Sequence, residues 1–241
     1  MLLLARAQGA EVPPVQQLAV VLAASAICQA LRREPLAFLL GPLDGRWPRE
    51  LLLGGLGGVL LMAVPALILG LAGVVSWRPD ADGAAALWPE LALLAAAAAT
   101  EELLFRGFVF RRLLDGLGTW PAQLIIAALF LLTHSDALRG LGPLAFLAGT
   151  NIFLASILFG LAYLRTRSLA MPLGLHLAAN VAQGPLLGFG VSGNEGARLL
   201  IPVPSGAPDW LYGGKFGLEA SLPGLLCVVA LLLLLRGWRP R

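Results

Sequence analysis

Three short runs in this chain bring together side chains that can move protons. Glu101 and Glu102 are adjacent, and Arg106 follows Glu102 at four residues. His134 follows Phe130 at four residues, and His176 precedes Asn180 at four residues. These are the only two histidines of the chain. On a helix, residues four apart share a face, so Glu102 can pair with Arg106, and the His176 imidazole can stand one turn from the Asn180 amide. Glu101 lies about 100° further round the helix and has no such partner. A carboxylate in an apolar, partly wetted pocket can take a proton from water, and an imidazole beside it can hold that water. A second imidazole and an amide N–H can stabilise the oxyanion of a tetrahedral intermediate. These are the parts of a general-base hydrolysis of an amide bond, and no Ser or Cys nucleophile is indicated.

Other chemistry can use the same groups. Glu101, His134 and His176 could ligate a divalent metal such as zinc, although the His-Glu-x-x-His helix of common zinc proteases is absent. A transporter or proton relay also buries Glu and His, but no clear internal repeat is present. A non-enzymatic membrane scaffold would leave the His-Asn pair unexplained.

The elements that must position these groups are membrane spans. The chain has 241 residues, 58% of them hydrophobic and only 13% charged, with mean hydropathy +0.82. A soluble domain is about 45–50% apolar and about 25% charged, so lipid must be the main solvent here. Apolar runs near the ~20 residues of a span lie at 15–31, 51–76, 87–110, 120–138, 144–164, 168–188 and 220–236. The expected fold is therefore an all-α, polytopic bundle of about seven transmembrane helices. The first run is the weakest, interrupted by Gln16, Gln17 and Gln29. Gly54, Gly55, Gly57 and Gly58 read as helix-packing positions, because small residues let membrane helices approach closely.

Within that frame most charges fall at span ends. Glu101 and Glu102 are the two acids well inside a span, with Arg106 following in the same run. A charge at mid-bilayer costs at least ~2.5–3.5 kcal/mol on insertion scales. A structural ion pair accounts for Glu102 and Arg106 and leaves Glu101 over. Both histidines fall inside the apolar runs. Counted from the cytoplasmic span ends at ~1.5 Å per residue, Glu101 lies ~15 Å deep, His176 ~12 Å and His134 ~21 Å. His134 therefore requires its helix to start later or to tilt strongly.

The remaining basic residues set the topology. Arg32, Arg33, Arg46, Arg49, Arg111, Arg112, Arg165, Arg167, Arg236, Arg239 and Arg241 fall on one side, against Arg6, Arg78, Arg139, Arg198 and Lys215 on the other. The positive-inside rule then places the N-terminus outside and the C-terminus in the cytoplasm. The charge reflects topology and is no signal for nucleic acid. The start, Met1 to Arg6, lacks the basic n-region and long apolar core of a cleaved signal, so the first span would direct insertion. Cys28 and Cys227 read as small core residues. Segment 189–218, rich in Gly and Pro, reads as an ordered extracytoplasmic loop that touches the interface through Trp210. Three regions follow: helices one and two over 1–86, a catalytic core of helices three to six over 87–188, and the loop with the last helix over 189–241.

The three runs, in this order and on separate helices, resemble the motifs of the CAAX-processing and bacteriocin-processing (CPBP, or Abi) family. Glu101-Glu102-Leu103-Leu104-Phe105-Arg106 is similar to its Glu-Glu-x-x-x-Arg motif, Phe130 to His134 to Phe-x-x-x-His, and His176 to Asn180 to His-x-x-x-Asn. The resemblance covers roughly 90–188. It implies a multi-pass protein of the cell membrane, an intramembrane endopeptidase similar to the type II CAAX prenyl proteases, acting on a membrane-embedded or lipid-anchored protein or peptide. By this resemblance Glu101 and His134 activate water, His176 and Asn180 form the oxyanion site, and Glu102, Arg106 and Phe130 support them. No cofactor is expected. If the chemistry is metal-dependent, as the family's metalloprotease label implies, Glu101, His134 and His176 are the ligands. The composition, biased to Ala, Leu and Arg, is that of a bacterial protein. The alternative is a non-proteolytic membrane protein, a transporter or immunity-type scaffold, using the same buried cluster.

Overall fold

The computed structural model describes residues 12–238. The start of the chain, with Arg6 and Glu11, and the final Arg239 and Arg241 lie outside the described residues. The described chain is helical over most of its apolar runs. Its long elements are α1 Pro14–Leu31, α2 Arg46–Leu71, α3 Leu87–Glu102, α4 Phe110–Leu117, α5 Thr119–Thr133, α6 Leu144–Thr166, α7 Ala170–Val181 and α8 Leu222–Gly237. A π-helical segment, Leu103–Val109, joins α3 to α4 without a break, and a second, Ala182–Leu186, extends α7.

Among the described residues, four helices are long and apolar enough to cross a membrane: Pro14–Leu31, Arg46–Leu71, Gly83–Leu117 and Leu144–Thr166. Thr119–Thr133 and Leu222–Gly237 are apolar but shorter. Their outer faces carry large apolar side chains in the open, such as Leu52 at 73%, Leu71 at 81% and Leu234 at 70% exposure. Water would not favour such a surface over this area, whereas lipid does.

Two of the expected spans end early. The run 51–76 does not stay helical to its end: α2 stops at Leu71, Gly73 takes a left-handed φ of +69°, and Val75–Pro79 forms strand β1. Strand β2, Leu200–Pro204, pairs with it antiparallel, Val75 opposite Pro204 and Pro79 opposite Leu200. Periodicity could not reveal this ribbon, because its two five-residue strands lie 120 residues apart and satisfy each other's backbone. The run 120–138 likewise breaks after Thr133, and only a helical turn, Ser135–Leu138, follows. Cys28 and Cys227 are free and only partly buried, and Cys227 packs against the core.

The glycines of α2 determine where α7 sits. A Cβ on Gly54 would stand 2.1 Å from the Met171 carbonyl oxygen, and one on Gly58 would stand 2.2 Å from that of Leu175. From the other side, a Cβ on Gly174 would meet the Leu51 carbonyl at 2.1 Å. The α2 and α7 backbones therefore touch, which only small residues allow. Gly55 and Gly57 face wider spaces, with first contacts at 3.9 and 3.2 Å.

The chain ends sort into two sets. At one end Leu169 N–H donates to Leu40 C=O at 3.0 Å, Arg165 donates to Leu235 C=O at 3.0 Å and Arg111 donates to Phe38 C=O. At the other, the β1–β2 ribbon joins the connection after α2 to the long segment after α7. That segment is ordered by its own bonds, including Trp77 Nε1–H to Leu187 C=O at 3.0 Å and Arg198 to Asp80 at 3.6 Å. Trp210 within it is half exposed.

Candidate active site

Four elements converge at the middle of the bundle: the α3–π junction, the end of α5, α6 and α7. The junction supplies Glu101, Glu102 and Arg106. The helix goes over to π geometry at Leu103, directly after the two acids; such bulges often mark functional positions. Arg106 has no exposure and Glu102 only 1%, and Arg106 Nη1 donates to Glu102 Oε1 at 3.1 Å. Arg106 Nη2 reaches across to α6, donating to the Ser156 carbonyl at 3.0 Å and to Ser156 Oγ at 2.7 Å. Its guanidinium lies over the rings of Phe105, Phe130 and Phe159 at 5.7, 5.0 and 5.3 Å. A buried cation is tolerable only with such a set of acceptors and π faces.

His176 completes the array from α7. Its Nδ1 lies 2.9 Å from Glu102 Oε1. A carboxylate held by Arg106 accepts, so Nδ1 carries a proton. The opposite nitrogen, Nε2, faces Glu101 Oε2 at 3.8 Å. This is too long for a direct hydrogen bond. The ring is stacked on Phe159, centroids 4.8 Å apart and planes at 16°. Glu101 itself is about one-third exposed, whereas its neighbour is sealed.

His134 stands apart from that contact network. It is the residue that ends α5, with φ −98° and ψ 4°, so it sits at a helix terminus and not within a span as the run 120–138 implied. Its own N–H turns back to Leu131 C=O at 3.0 Å. The Phe130 carbonyl, freed from the helix ladder, accepts from Thr133 Oγ1 at 2.7 Å and from His134 Nδ1 at 2.8 Å. A carbonyl cannot donate, so Nδ1 is protonated here as well, and Nε2 takes no part in that contact. Phe130 is the spacer between the imidazoles: its ring centre lies 4.8 Å from that of His134 and 6.3 Å from that of His176. Asn180, one turn beyond His176, is partly buried, and its amide makes no hydrogen bond with another described residue.

Chain periodicity alone did not point to Ser156, Phe159 or Glu219. Ser156 is a buried hydroxyl in an apolar helix, a weak signal by itself. Glu219 reads in sequence as an ordinary span-end acid. In the fold its Oε2 accepts from Ser192 N–H and Ser192 Oγ, both at 2.9 Å, and it feels the two imidazoles of His134 and His176. Ser192 has φ +48°, in the left-handed region that non-glycine residues seldom adopt. Burial holds the Glu219 carboxyl above the usual carboxylate range, against the Ser192 bonds and the imidazoles, which favour its ionised form.

The donor set does not fit a metal as it stands. Among the described residues no three His, Cys, Asp or Glu side chains converge into a metal-holding group. The chemistry is therefore derived from the side chains alone.

Comparison with known proteins gives one match. Residues 83–182 match the family model described as type II CAAX prenyl endopeptidase, Rce1-like. No curated protein and no solved structure matches the chain. The matched segment runs from before α3 into the π turn after α7 and contains all three motifs, with Glu101, Glu102, Arg106, Phe130, His134, His176 and Asn180 inside it. Four candidate spans point to a membrane protein, and its residues 83–182 are similar to the Rce1-like type II CAAX prenyl endopeptidase family.

Proposed function

We propose that this chain is an intramembrane endopeptidase that hydrolyses a peptide bond of a membrane-embedded or lipid-anchored protein or peptide by activated water. The observation that carries the reading is the coupling of a sealed Glu102–Arg106–His176 network to a partly exposed Glu101 at 3.8 Å. A purely structural ion pair has no use for the second carboxylate.

In this reading Glu101 is the general base. Water beside it loses a proton to the carboxylate as its oxygen attacks the peptide carbonyl, and the same proton is later delivered to the leaving amine. His134, whose Nε2 is not taken up by the Phe130 carbonyl, orients that water. His176 Nε2–H and the Asn180 amide donate to the developing oxyanion. Glu102 accepts from His176 Nδ1–H and holds the ring in place, Arg106 holds Glu102, and Ser156 holds Arg106. Phe130 sets the spacing of the two imidazoles.

Seven spans fit the same reading: α1, α2, α3 with α4, α5, α6, α7 with its π turn, and α8. Pairing of β1 with β2 requires the connections after the second and sixth spans to lie on one side, as seven alternating spans do. Arg111, Arg165 and Arg167 gather at the opposite end, which the positive-inside rule makes cytoplasmic. The reading therefore places the protein as a multi-pass protein of the cell membrane. Fusing a periplasmic-type reporter after Arg241 tests the topology, and activity of that reporter would reverse it. The activity is tested by incubating the purified chain with lipid-anchored peptides and sequencing new termini by mass spectrometry. Glu101-dependent solute flux in sealed vesicles without new termini would favour a transporter.

A further inference from the structure

The arginine-rich end of the bundle holds a cavity of about 490 Å³, away from the proton-transfer groups. Its walls are Phe38, Leu43 and Pro42 from the connection after α1, Arg111 from α4, and Arg167 from the end of α6. Apolar and cationic groups line it, and no carboxylate does. The acids of this end are engaged elsewhere: Asp115 pairs with Arg112 at 3.4 Å, Glu34 with Arg32 at 3.4 Å, Asp44 accepts from Arg46 N–H at 2.8 Å, and Glu50 hydrogen-bonds to Ser168.

The two guanidinium groups are differently held. Arg111 donates to the Phe38 carbonyl and lies over the Phe38 ring at 3.7 Å, so it is fixed in place. The Arg167 side chain is exposed and makes no hydrogen bond or ion pair with a described residue. Its backbone has φ +56°, which costs a non-glycine residue free energy. The Tyr163 hydroxyl feels the charge of both. Two cations facing one cavity repel each other unless an anion joins them, and guanidinium forks match phosphate oxygens. The walls above them, Phe38 at 43% and Leu43 at 60% exposure, are open and apolar.

We propose that this cavity binds an anionic phospholipid, with Arg111 and Arg167 on the headgroup phosphate and Phe38 and Leu43 against the first segments of the acyl chains. A free phosphate would satisfy the guanidinium groups but would leave the apolar walls unused. Basic pockets between transmembrane helices at a membrane surface have this lipid-binding chemistry. The site is independent of the peptidase reading and is tested without any substrate.

The purified full chain in uncharged detergent is melted with added dioleoyl-phosphatidylglycerol, dioleoyl-phosphatidylcholine or glycerol phosphate. Phosphatidylglycerol should raise the melting temperature by roughly 2–4 °C, at concentrations where the other two do nothing. Arg167→Asn tolerates the left-handed backbone and removes the charge; it should weaken the phosphatidylglycerol response about tenfold in concentration. Arg167→Lys should retain most of it. An equal shift with phosphatidylcholine would overturn the proposal, and an equal shift with glycerol phosphate would assign the site to free phosphate instead of lipid. An unchanged response of folded Arg167→Asn would also overturn it. Should Arg167→Asn not fold, the wild-type comparison of the three ligands decides, and absence of a phosphatidylglycerol shift there ends the idea.

Discussion

Arg106→Ala is the perturbation that most directly probes how the site is held. The change removes a fully buried cation whose bonds run to Glu102 at 3.1 Å and to Ser156 at 3.0 and 2.7 Å. Glu102, 1% exposed, would keep only the His176 Nδ1–H, and its Oε2 already lacks a partner. Breaking a buried pair from one side costs about 3–5 kcal/mol, because the other charge stays buried. That is roughly 10²- to 10³-fold or more in the folded ratio. Ser156→Ala removes one charged hydrogen bond and leaves the Ser156 carbonyl in place, so its cost should be near ~1.5 kcal/mol. Replacing both partners, Glu102→Gln with Arg106→Met, should cost less than the two single changes summed, by about 1–3 kcal/mol. The assay is thermal and denaturant unfolding in detergent, alongside the amount of protein recovered from membranes. Wild-type melting and yield for Arg106→Ala would refute the reasoning and recast Arg106 as a group that meets substrate. Strict additivity in the double change would show that the two side chains do not act as a pair.

Other outcomes follow from the same geometry. Asn180→Ala should lower turnover about 10²- to 10³-fold with little change in KM; a loss confined to KM would assign the amide to substrate binding. Gly58→Ala puts a Cβ 2.2 Å from the Leu175 carbonyl oxygen, so it should destabilise by about 1–3 kcal/mol and displace His176; unchanged melting would contradict the backbone contact. Because the folded pKa of Glu219 lies above its unfolded value, the folded state binds its proton more strongly. Its stabilising contribution is present below the ordinary carboxylate range and is lost as pH rises through the raised folded value. Glu219→Gln should therefore flatten the decline of melting temperature across that window, and an unaltered pH profile would remove Glu219 from the account.

The three motifs were legible because each closes within a single helical turn. Glu102 and Arg106 meet at their four-residue spacing although the helix changes to π geometry between them. Gly54 and Gly58 announced a close helix contact, but their partner, the α7 backbone at Met171 and Leu175, could not be read from them. What pattern alone could not supply lies between elements. Which imidazole stands beside Glu101 depends on how α7 packs on α3, and it is His176, with His134 beyond Phe130. Hydropathy extended the fourth span past His134, because apolar residues continue after it. A side-chain cap on the Phe130 carbonyl ends the helix there. Likewise β1 was absorbed into the second span, since Val75 and Trp77 are apolar and their partner strand is remote.

The central claim is that Glu101 activates water for peptide hydrolysis. The direct measurement is cleavage of a lipid-anchored peptide by purified wild-type and Glu101→Gln protein, followed by mass spectrometry of new termini. Gln keeps the shape and leaves the buried Glu102–Arg106–His176 network intact, so the variant should melt as wild type does and bind the peptide. A well-placed general base contributes about 10²–10⁴ in rate, and loss of at least that factor is the expected result. Undiminished cleavage by folded Glu101→Gln protein would contradict the account.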